Sequence, residues 1–319
     1  MNNFKIISYF KKFDDDKGKR LEQYPGKYDG DSFSKLVDIF KDLTQRYCDF
    51  HSYQFVFKYI DDEDLKPIVE NKEKFKFYST PKELEKDQFK NILAYKILMV
   101  YNELMKNDSE YVVFLDTDAF ISNPTRVLTE FIDDKHEIWL SQANQRFECM
   151  KDISTLSHSF NEFLKDRECL EMFMTNVKES YQKFKEKTAL DLDQVLKHIS
   201  SKLGSCNEGF FIVKNTENMK NLFYLMCNSF YLTNNSFTLE KNGQSPDGYL
   251  LLYFLNSEKY FDTFAYMKPN AQGHIMGAYE GRYDVDMHFI QHNFSVMEVK
   301  DKLRFAQELK ENKWWRQIK

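Results

Sequence analysis

The sequence contains little proline and little glycine, with six and ten residues among 319, whereas phenylalanine and tyrosine are frequent, with 30 and 19. This composition excludes a collagen-like repeat, a largely disordered chain and a fold dominated by tight turns. A chain of this length with 42% hydrophobic residues can bury a substantial core. We therefore expect residues 1–319 to form a single domain.

Other absences narrow the class of protein further. Five widely spaced cysteines without a CxxC pair do not suit a disulfide framework or a zinc site, so we expect reduced, mostly buried thiols. A net charge of −5, with basic and acidic residues interleaved, argues against nucleic acid as a partner. The sequence contains no apolar run long enough for a membrane span and no apolar secretory core near its start, so we expect cytoplasmic residence.

Alternating strand and helix patterns predict an α/β fold with a mostly parallel central sheet. The first predicted strands are Phe4–Phe10, Tyr53–Tyr59 and Tyr111–Leu115, and long helices are predicted from Ser32 and from about Asp87 to Lys106. Further predicted elements are a short helix from Asn123 to Ile132, the strands Glu137–Ser141, Gly209–Lys214, Tyr260–Met267 and Val285–His292, and a helix Pro246–Leu255.

Residues from about 144 to 202 differ in composition from the rest of the chain. They are rich in lysine, glutamate, phenylalanine and leucine at helical spacing, and they contain neither proline nor glycine. This pattern predicts a helical insertion, about 144–202, within the single domain. We expect the insertion to lie beside a ligand-binding cleft.

A pair of carboxylates at the end of a buried strand is the main chemical signal. Asp116 and Asp118 follow Tyr111–Leu115 and, in extended backbone, would share one face of the sheet. Ligands of open parallel sheets bind beyond the carboxyl ends of the strands, where these side chains would project. Carboxylate oxygens suit Mn²⁺ or Mg²⁺ bridging a diphosphate, and such a cation stabilises a departing nucleoside diphosphate. The alternative is that the aspartates merely cap a turn.

The segment Leu115–Pro124, LDTDAFISNP, resembles the hallmark segment of DxD-containing GT-A glycosyltransferases. The resemblance is closest to the galactosyl- and xylosyltransferase family of fungal mannan and plant xyloglucan synthesis, and it extends loosely over about residues 88–294. It implies a GT-A (Rossmann-like) nucleotide-diphospho-sugar transferase fold, with a donor site centred on Asp116, Thr117 and Asp118. It also implies a nucleotide-sugar donor, a glycan or glycoprotein acceptor and a manganese or magnesium cofactor.

Two further positions match the family upstream and downstream of the acidic motif. Lys96, the only charged residue within Asn91–Asn102, stands where the family carries a lysine, and a buried lysine requires a partner. It would contact the donor or a motif carboxylate, unless its ammonium reaches solvent. Asn207, Glu208 and Gly209 resemble the family's Asn-x-Gly segment on the sugar and acceptor side of the cleft, although Glu208 replaces a small residue. An ordinary turn is the alternative for these three residues.

The family completes its metal site with a histidine from a late strand. Here His292 and His288 are both candidates, with His292 preferred because it follows Phe289 and Ile290. Neutral imidazole is a suitable third protein ligand. Asp247 stands near the family's acidic-Gln stretch, without the Gln, and would either bind sugar or acceptor hydroxyls or favour a helix N-terminus.

The resulting prediction is an enzyme, a metal-dependent hexosyl- or pentosyltransferase that uses a nucleoside-diphosphate sugar, UDP-sugar by preference. The resemblance implies retention of anomeric configuration. Two alternatives stay open. One is a haloacid-dehalogenase-like phosphatase in which Asp116 is the nucleophile, and the other is a catalytically inactive nucleotide-sugar-binding protein.

Overall fold

The computed structural model describes residues 3–11, 30–74, 88–142, 206–230, 251, 259–267, 272–275, 289–293 and 299–318. The predicted insertion at about 144–202 lies outside these residues. The predicted helix Pro246–Leu255 also lies outside them, apart from position 251.

The central sheet has six strands, whose residue ranges close this paragraph. Numbered in chain order, they lie side by side as β2-β1-β3-β6-β5-β7. Strands β1, β2 and β3 are mutually parallel, and β5 is parallel to β7. Strand β6 is antiparallel to both of its neighbours, β3 and β5, so the other five strands point in the same direction. The strands are β1 Phe4–Phe10, β2 Gln54–Tyr59, β3 Tyr111–Leu115, β5 Ile138–Gln142, β6 Cys206–Lys214 and β7 Phe264–Tyr266.

Helices cover both faces of this sheet and bury its apolar side chains. One face packs against α2, α3 and α4, and the opposite face packs against α1 and α5. Helix α1, Gly30–His51, illustrates the sequence pattern behind this packing. Its apolar residues Leu36, Phe40 and Leu43 recur at helical spacing and are all buried on one face. The helices are α1 Gly30–His51, α2 Asp62–Lys74, α3 Gln88–Met105, α4 Glu217–Asn228 and α5 Val299–Lys310. The structure confirms the predicted α/β fold class, with helices on both faces of a mostly parallel sheet.

A second, three-stranded sheet lies next to the end of β3. Its strands are β4 Ala119–Ile121, β8 Gln272–Ile275 and β9 Ile290–Asn293, in the order β4-β9-β8. Strand β4 runs antiparallel to β9, and Ser122, just after β4, donates hydrogen bonds from its backbone nitrogen and its hydroxyl to the carbonyl of Phe289 at 2.8 and 3.1 Å. This small sheet brings a late part of the chain to the acidic motif.

Two predicted elements differ from the structure. The helix predicted from Asn123 to Ile132 is wrong, since only Leu128–Phe131 form a short 3₁₀ turn. The side-chain oxygen of Asn123 accepts hydrogen bonds from the backbone and hydroxyl of Thr125 at 3.2 and 2.7 Å, which closes an Asx turn instead of capping a helix. The strand predicted from Tyr260 begins at Phe264, because residues 261–263 form another 3₁₀ turn.

The carboxyl-terminal residues hold α5 in place. Arg46 of α1 donates to the carbonyls of Trp315 and Ile318, each at 2.9 Å, and the Trp315 indole donates to the carbonyl of Ile121 at 2.9 Å. These contacts tie α5 to both α1 and β4. The fold therefore fixes which side chains of α5 reach the acidic motif.

Other predictions concern cysteines and membrane spans. Cys48 and Cys227 are unpaired thiols, and burial raises the pKa of both, as expected for reduced, inert cysteines. Among the helices in the described ranges, none has the length and apolar content that a membrane crossing requires.

Candidate active site

The acidic motif forms a tight turn between β3 and β4. The backbone nitrogen of Asp116 donates to the carbonyl of Gly209 at 2.8 Å, and that of Ala119 donates to the carbonyl of Asp116 at 2.9 Å. The second bond closes a turn over Asp116, Thr117 and Asp118, so the expectation of extended backbone at this point is wrong. The carboxylates nevertheless converge, and their side chains retain 30% and 21% exposure.

His292 completes a three-residue cluster with the two aspartates. In the β4–β9 ladder it lies directly opposite Ala119, which places its ring beside Asp118. The His292 Nε2 atom is 3.1 Å from Asp118 Oδ1 and 3.9 Å from Asp116 Oδ2. One ligand atom from each of the three residues lies within 4.8 Å of the others. Sequence reasoning named this same set, whereas its second histidine, His288, lies outside the described residues.

Lys96 of α3 is buried beneath the turn, with only 2% of its side chain exposed. Its ammonium lies 3.2 Å from Asp116 Oδ1 and donates to the backbone carbonyl of Glu208 at 2.9 Å. It also sits 4.8 Å from the centre of the Phe114 ring, a cation–π contact. The expectation of a motif carboxylate as partner is met, and the alternative of an ammonium reaching solvent is wrong.

Sequence reasoning missed a second buried lysine at the site. Lys302 of α5 donates to Asp118 Oδ2 at 2.8 Å and is 8% exposed. A signal existed in the sequence, since Lys302 lies on the helical stripe formed by the buried residues Val299, Phe305, Ala306 and Leu309. A buried lysine requires a charged or hydrogen-bonding partner, and this holds for Lys302 as it does for Lys96.

The electrostatics of the site follow from these contacts. Burial of the Asp118 carboxyl by itself raises its pKa, but Lys302 and His292 outweigh that effect and hold the pKa of Asp118 well below its usual range. Asp118 is therefore held in the charged form that binds a cation. The Asp116 carboxylate lies 3.2 Å from the ammonium of Lys96.

The start of β6 forms the wall of the site through its backbone. Asn207 lies opposite Ser141 of β5, next to an irregularity in the ladder after Leu140. Glu208 and Gly209 each contribute a carbonyl, the first to Lys96 and the second to the backbone of Asp116. Gly209 is buried. These contacts bring the backbone of Glu208 and Gly209 next to Lys96 and Asp116, whereas the roles of Asn207, Glu208 and Gly209 stay predictions. Asp247 lies outside the described residues.

The chemistry of the donor set fits a small divalent cation. Two carboxylate oxygens and one imidazole nitrogen are ligands that Mn²⁺ accepts, and Mg²⁺ favours carboxylates supplemented by water or phosphate. Three protein ligands leave coordination positions for a substrate. The arrangement can hold a cation at the carboxyl ends of the parallel strands, where ligands of open α/β sheets bind.

The chain is similar in overall structure to three solved glycosyltransferases. One is involved in the glycosylation of the major capsid of PBCV-1, with 10% identity, a TM-score of 0.49, and coverage of 96% of this chain and 99% of that one. Mouse xyloside xylosyltransferase 1 has 12% identity, a TM-score of 0.46, and coverage of 91% and 97%. The galactosyltransferase LgtC, solved with donor and acceptor sugar analogues, has 9% identity, a TM-score of 0.39, and coverage of 99% and 100%. No family model and no curated protein sequence matches the chain.

Proposed function

We propose that this protein is a metal-dependent glycosyltransferase that transfers a sugar from a nucleoside-diphosphate donor to a hydroxyl of a glycan or glycoprotein. The observation that carries the proposal is the cluster of Asp116, Asp118 and His292, whose ligand atoms lie within 4.8 Å of one another at the end of β3. A cation held there would neutralise charge on the diphosphate as the glycosidic bond breaks. Mn²⁺ is the preferred ion, with Mg²⁺ as the alternative.

The described residues have distinct roles in this proposal. Asp118 and His292 bind the cation, and Asp116 contacts either the donor ribose or the water shell of the cation. Lys96 holds Asp116 in orientation, because its ammonium bridges that carboxylate and the carbonyl of Glu208. Thr117, at the centre of the turn, is half-buried between the two carboxylates and contacts the donor.

The acceptor side of the site is assigned to the start of β6 and to Asp247. Gly209 lets the backbone approach the sugar closely, since it has no side chain. We assign Asn207 and Glu208 to contacts with the transferred sugar, and Asp247 to the hydroxyls of that sugar or of the acceptor. The sugar is a hexose or pentose, UDP is the preferred nucleotide, and transfer retains the anomeric configuration.

The test is donor hydrolysis and binding across a panel of UDP- and GDP-sugars, each with Mn²⁺ and with EDTA. We expect turnover of one donor that EDTA abolishes and that Asp118→Ala removes. Glu217→Ala is the matched control, because it deletes a carboxylate that is 84% exposed on α4, near the amino end of β3 and so at the other end of the sheet from the site. The control should hydrolyse the donor at the wild-type rate.

Two outcomes would redirect the assignment. Hydrolysis of a generic phosphoester without turnover of any nucleotide sugar would favour the phosphatase in which Asp116 is the nucleophile. Tight binding of a nucleotide sugar without hydrolysis or transfer, with every acceptor tried, would favour an inactive binding protein.

A further inference from the structure

The two oxygens of the Asp118 carboxylate have different partners. Oδ1 lies 3.1 Å from the Nε2 atom of His292, on the side of the candidate cation site. Oδ2 accepts a hydrogen bond from the ammonium of Lys302 at 2.8 Å. A cation bound between Asp118 and His292 can therefore use Oδ1 while Lys302 keeps Oδ2.

Burying a lysine at position 302 costs desolvation free energy. Its neighbours along the buried stripe of α5 are Val299, Phe305 and Leu309, and an apolar side chain there would pack without desolvating a charge. Its ion pair is made with a candidate metal ligand, Asp118, whose side chain stays 21% exposed. A buried ion pair adds little to the stability of the fold, because the desolvation of the two charges offsets much of their electrostatic attraction. A role at the site explains the lysine better than packing does.

Each of the two motif carboxylates is already paired with one ammonium group. Asp116 is paired with Lys96 at 3.2 Å, and Asp118 is paired with Lys302 at 2.8 Å. A divalent cation would bring two further positive charges next to these two ammonium groups. Repulsion between like charges is stronger in a partly buried site than in water, so free cation binds weakly there. A bound diphosphate adds negative charge, which offsets this repulsion and attracts the cation.

We propose that Lys302 is a positioning residue that reserves one oxygen of Asp118 for the cation and makes cation binding depend on a bound diphosphate. The inference rests on the proposed function and deepens it. The cation and the nucleoside diphosphate bind with positive coupling, and Lys302 supplies part of that coupling. By thermodynamic reciprocity, the cation strengthens diphosphate binding by the same factor.

The experiment measures Mn²⁺ binding by electron paramagnetic resonance, with residues 1–319 alone and with saturating UDP or GDP. We expect wild-type protein to bind Mn²⁺ at least about tenfold more tightly with one of these nucleotides than without. Lys302→Gln removes the charge but keeps a hydrogen-bond donor, and Lys302→Met removes both. Both variants should bind Mn²⁺ alone about tenfold more tightly than wild type and should show weaker coupling.

Two further variants separate the charge of Lys302 from a merely structural role. Lys302→Arg retains the charge and should keep the wild-type coupling. Lys310→Met removes one positive charge from the same helix, where Lys310 is 43% exposed and pairs with Asp42, and should leave Mn²⁺ affinity within about twofold of wild type. Circular dichroism verifies that each variant is folded.

The proposal is overturned if folded Lys302→Gln binds Mn²⁺ alone no more tightly than wild type. It is equally overturned if wild-type protein binds a nucleoside diphosphate but has the same Mn²⁺ affinity with and without it, a result that requires no variant. Failure of wild type to bind any nucleoside diphosphate would count against the proposed function, while the effect of Lys302→Gln on Mn²⁺ alone would still decide the role of the lysine.

Discussion

Buried lysines stand at both ends of the central sheet, and they are surrounded differently. At the amino ends of the strands, Lys5 of β1 pairs with Glu103 at 3.2 Å and with Asp108. At the carboxyl ends, Lys96 pairs with Asp116. Helix α3 carries both Lys96 and Glu103, seven residues apart and thus about 10 Å along one face of the helix. One helix therefore supplies a charged group to each end.

The difference lies in the carboxylate partners. Glu103 is only 6% exposed and is also bound by Lys106 at 2.6 Å, so its charge is enclosed by protein. Asp116 and Asp118 each lie between a lysine and His292, and their side chains remain 30% and 21% exposed. The end with the Lys5–Glu103 pair, called the enclosed end, is expected to stabilise the fold, although Asp108 beside it is 48% exposed. The end with Asp116 and Asp118, called the open end, is expected to bind a ligand.

The largest effect is expected at the open end. Asp118→Asn keeps the shape of the side chain and an oxygen that can accept from Lys302, but it removes the charge that would bind a cation. We expect donor turnover to fall on the order of 10²–10³-fold, as when a group that stabilises developing charge is removed. Steady-state hydrolysis of the preferred nucleotide sugar measures it. Unchanged turnover in the folded variant would mean that Asp118 does not bind the cation.

At the enclosed end, Lys5→Met should affect stability and not activity. Glu103 would keep Lys106 as a partner but would lose the ammonium on its buried side, so we expect a loss of about 2–3 kcal/mol in the free energy of unfolding. Urea unfolding at neutral pH measures it. Nucleotide affinity should stay at the wild-type value. A tenfold loss of that affinity would show that Lys5 affects ligand binding and not only stability.

Lys96→Met is the matched substitution at the open end. Asp116 is 30% exposed and can be hydrated when its lysine is gone, so the loss of stability should be smaller than for Lys5→Met. Turnover should fall about tenfold to a hundredfold, because Asp116 would lose the group that orients it. Urea unfolding and donor hydrolysis on the same preparations give both values. A larger stability loss than for Lys5→Met, with normal turnover, would make Lys96 a structural residue.

The smallest effect concerns the pH dependence of the enclosed end. A hydrogen bond from Lys5 is the main reason that the pKa of Asp108 lies below its usual value. The pair therefore contributes stability above the unfolded-state pKa of about 4, and that contribution is lost as pH falls through the lower folded-state pKa. Asp108 is 48% exposed, so Asp108→Asn should cost less than about 1 kcal/mol at pH 7.

The check is urea unfolding of wild type and Asp108→Asn at pH 7 and near pH 3. The difference between them should shrink at the lower pH. A difference that grows as the pH falls would show that the aspartate stabilises the fold in its protonated form.

Local pattern predicted the central strands well. The predicted bounds of β1 and β3 match the structure, and α3 begins and ends within one residue of its predicted limits. These elements have continuous apolar runs or clear helical spacing, so the signal lies within the element itself. The pairing of Asp118 with a late histidine came from resemblance, and the register of β4 against β9 gives it a geometric basis.

Features that depend on distant parts of the chain were not predictable in the same way. Strand β4 has three residues, and its existence depends on pairing with β9, about 170 positions later. The Asx turn at Asn123 competes with a helix start that uses the same residue type. Lys302 lies 184 positions from Asp118 and was missed. Its place on an apolar stripe could have been seen in the sequence pattern, but its partner could not.

The most direct test of the proposed cation site is a crystal structure with Mn²⁺ and a nucleoside diphosphate, using the anomalous signal of manganese to locate the ion. We expect an anomalous peak in contact with Asp118 and His292, next to the diphosphate. A peak elsewhere, or nucleotide bound away from the carboxyl end of β3, would contradict this expectation.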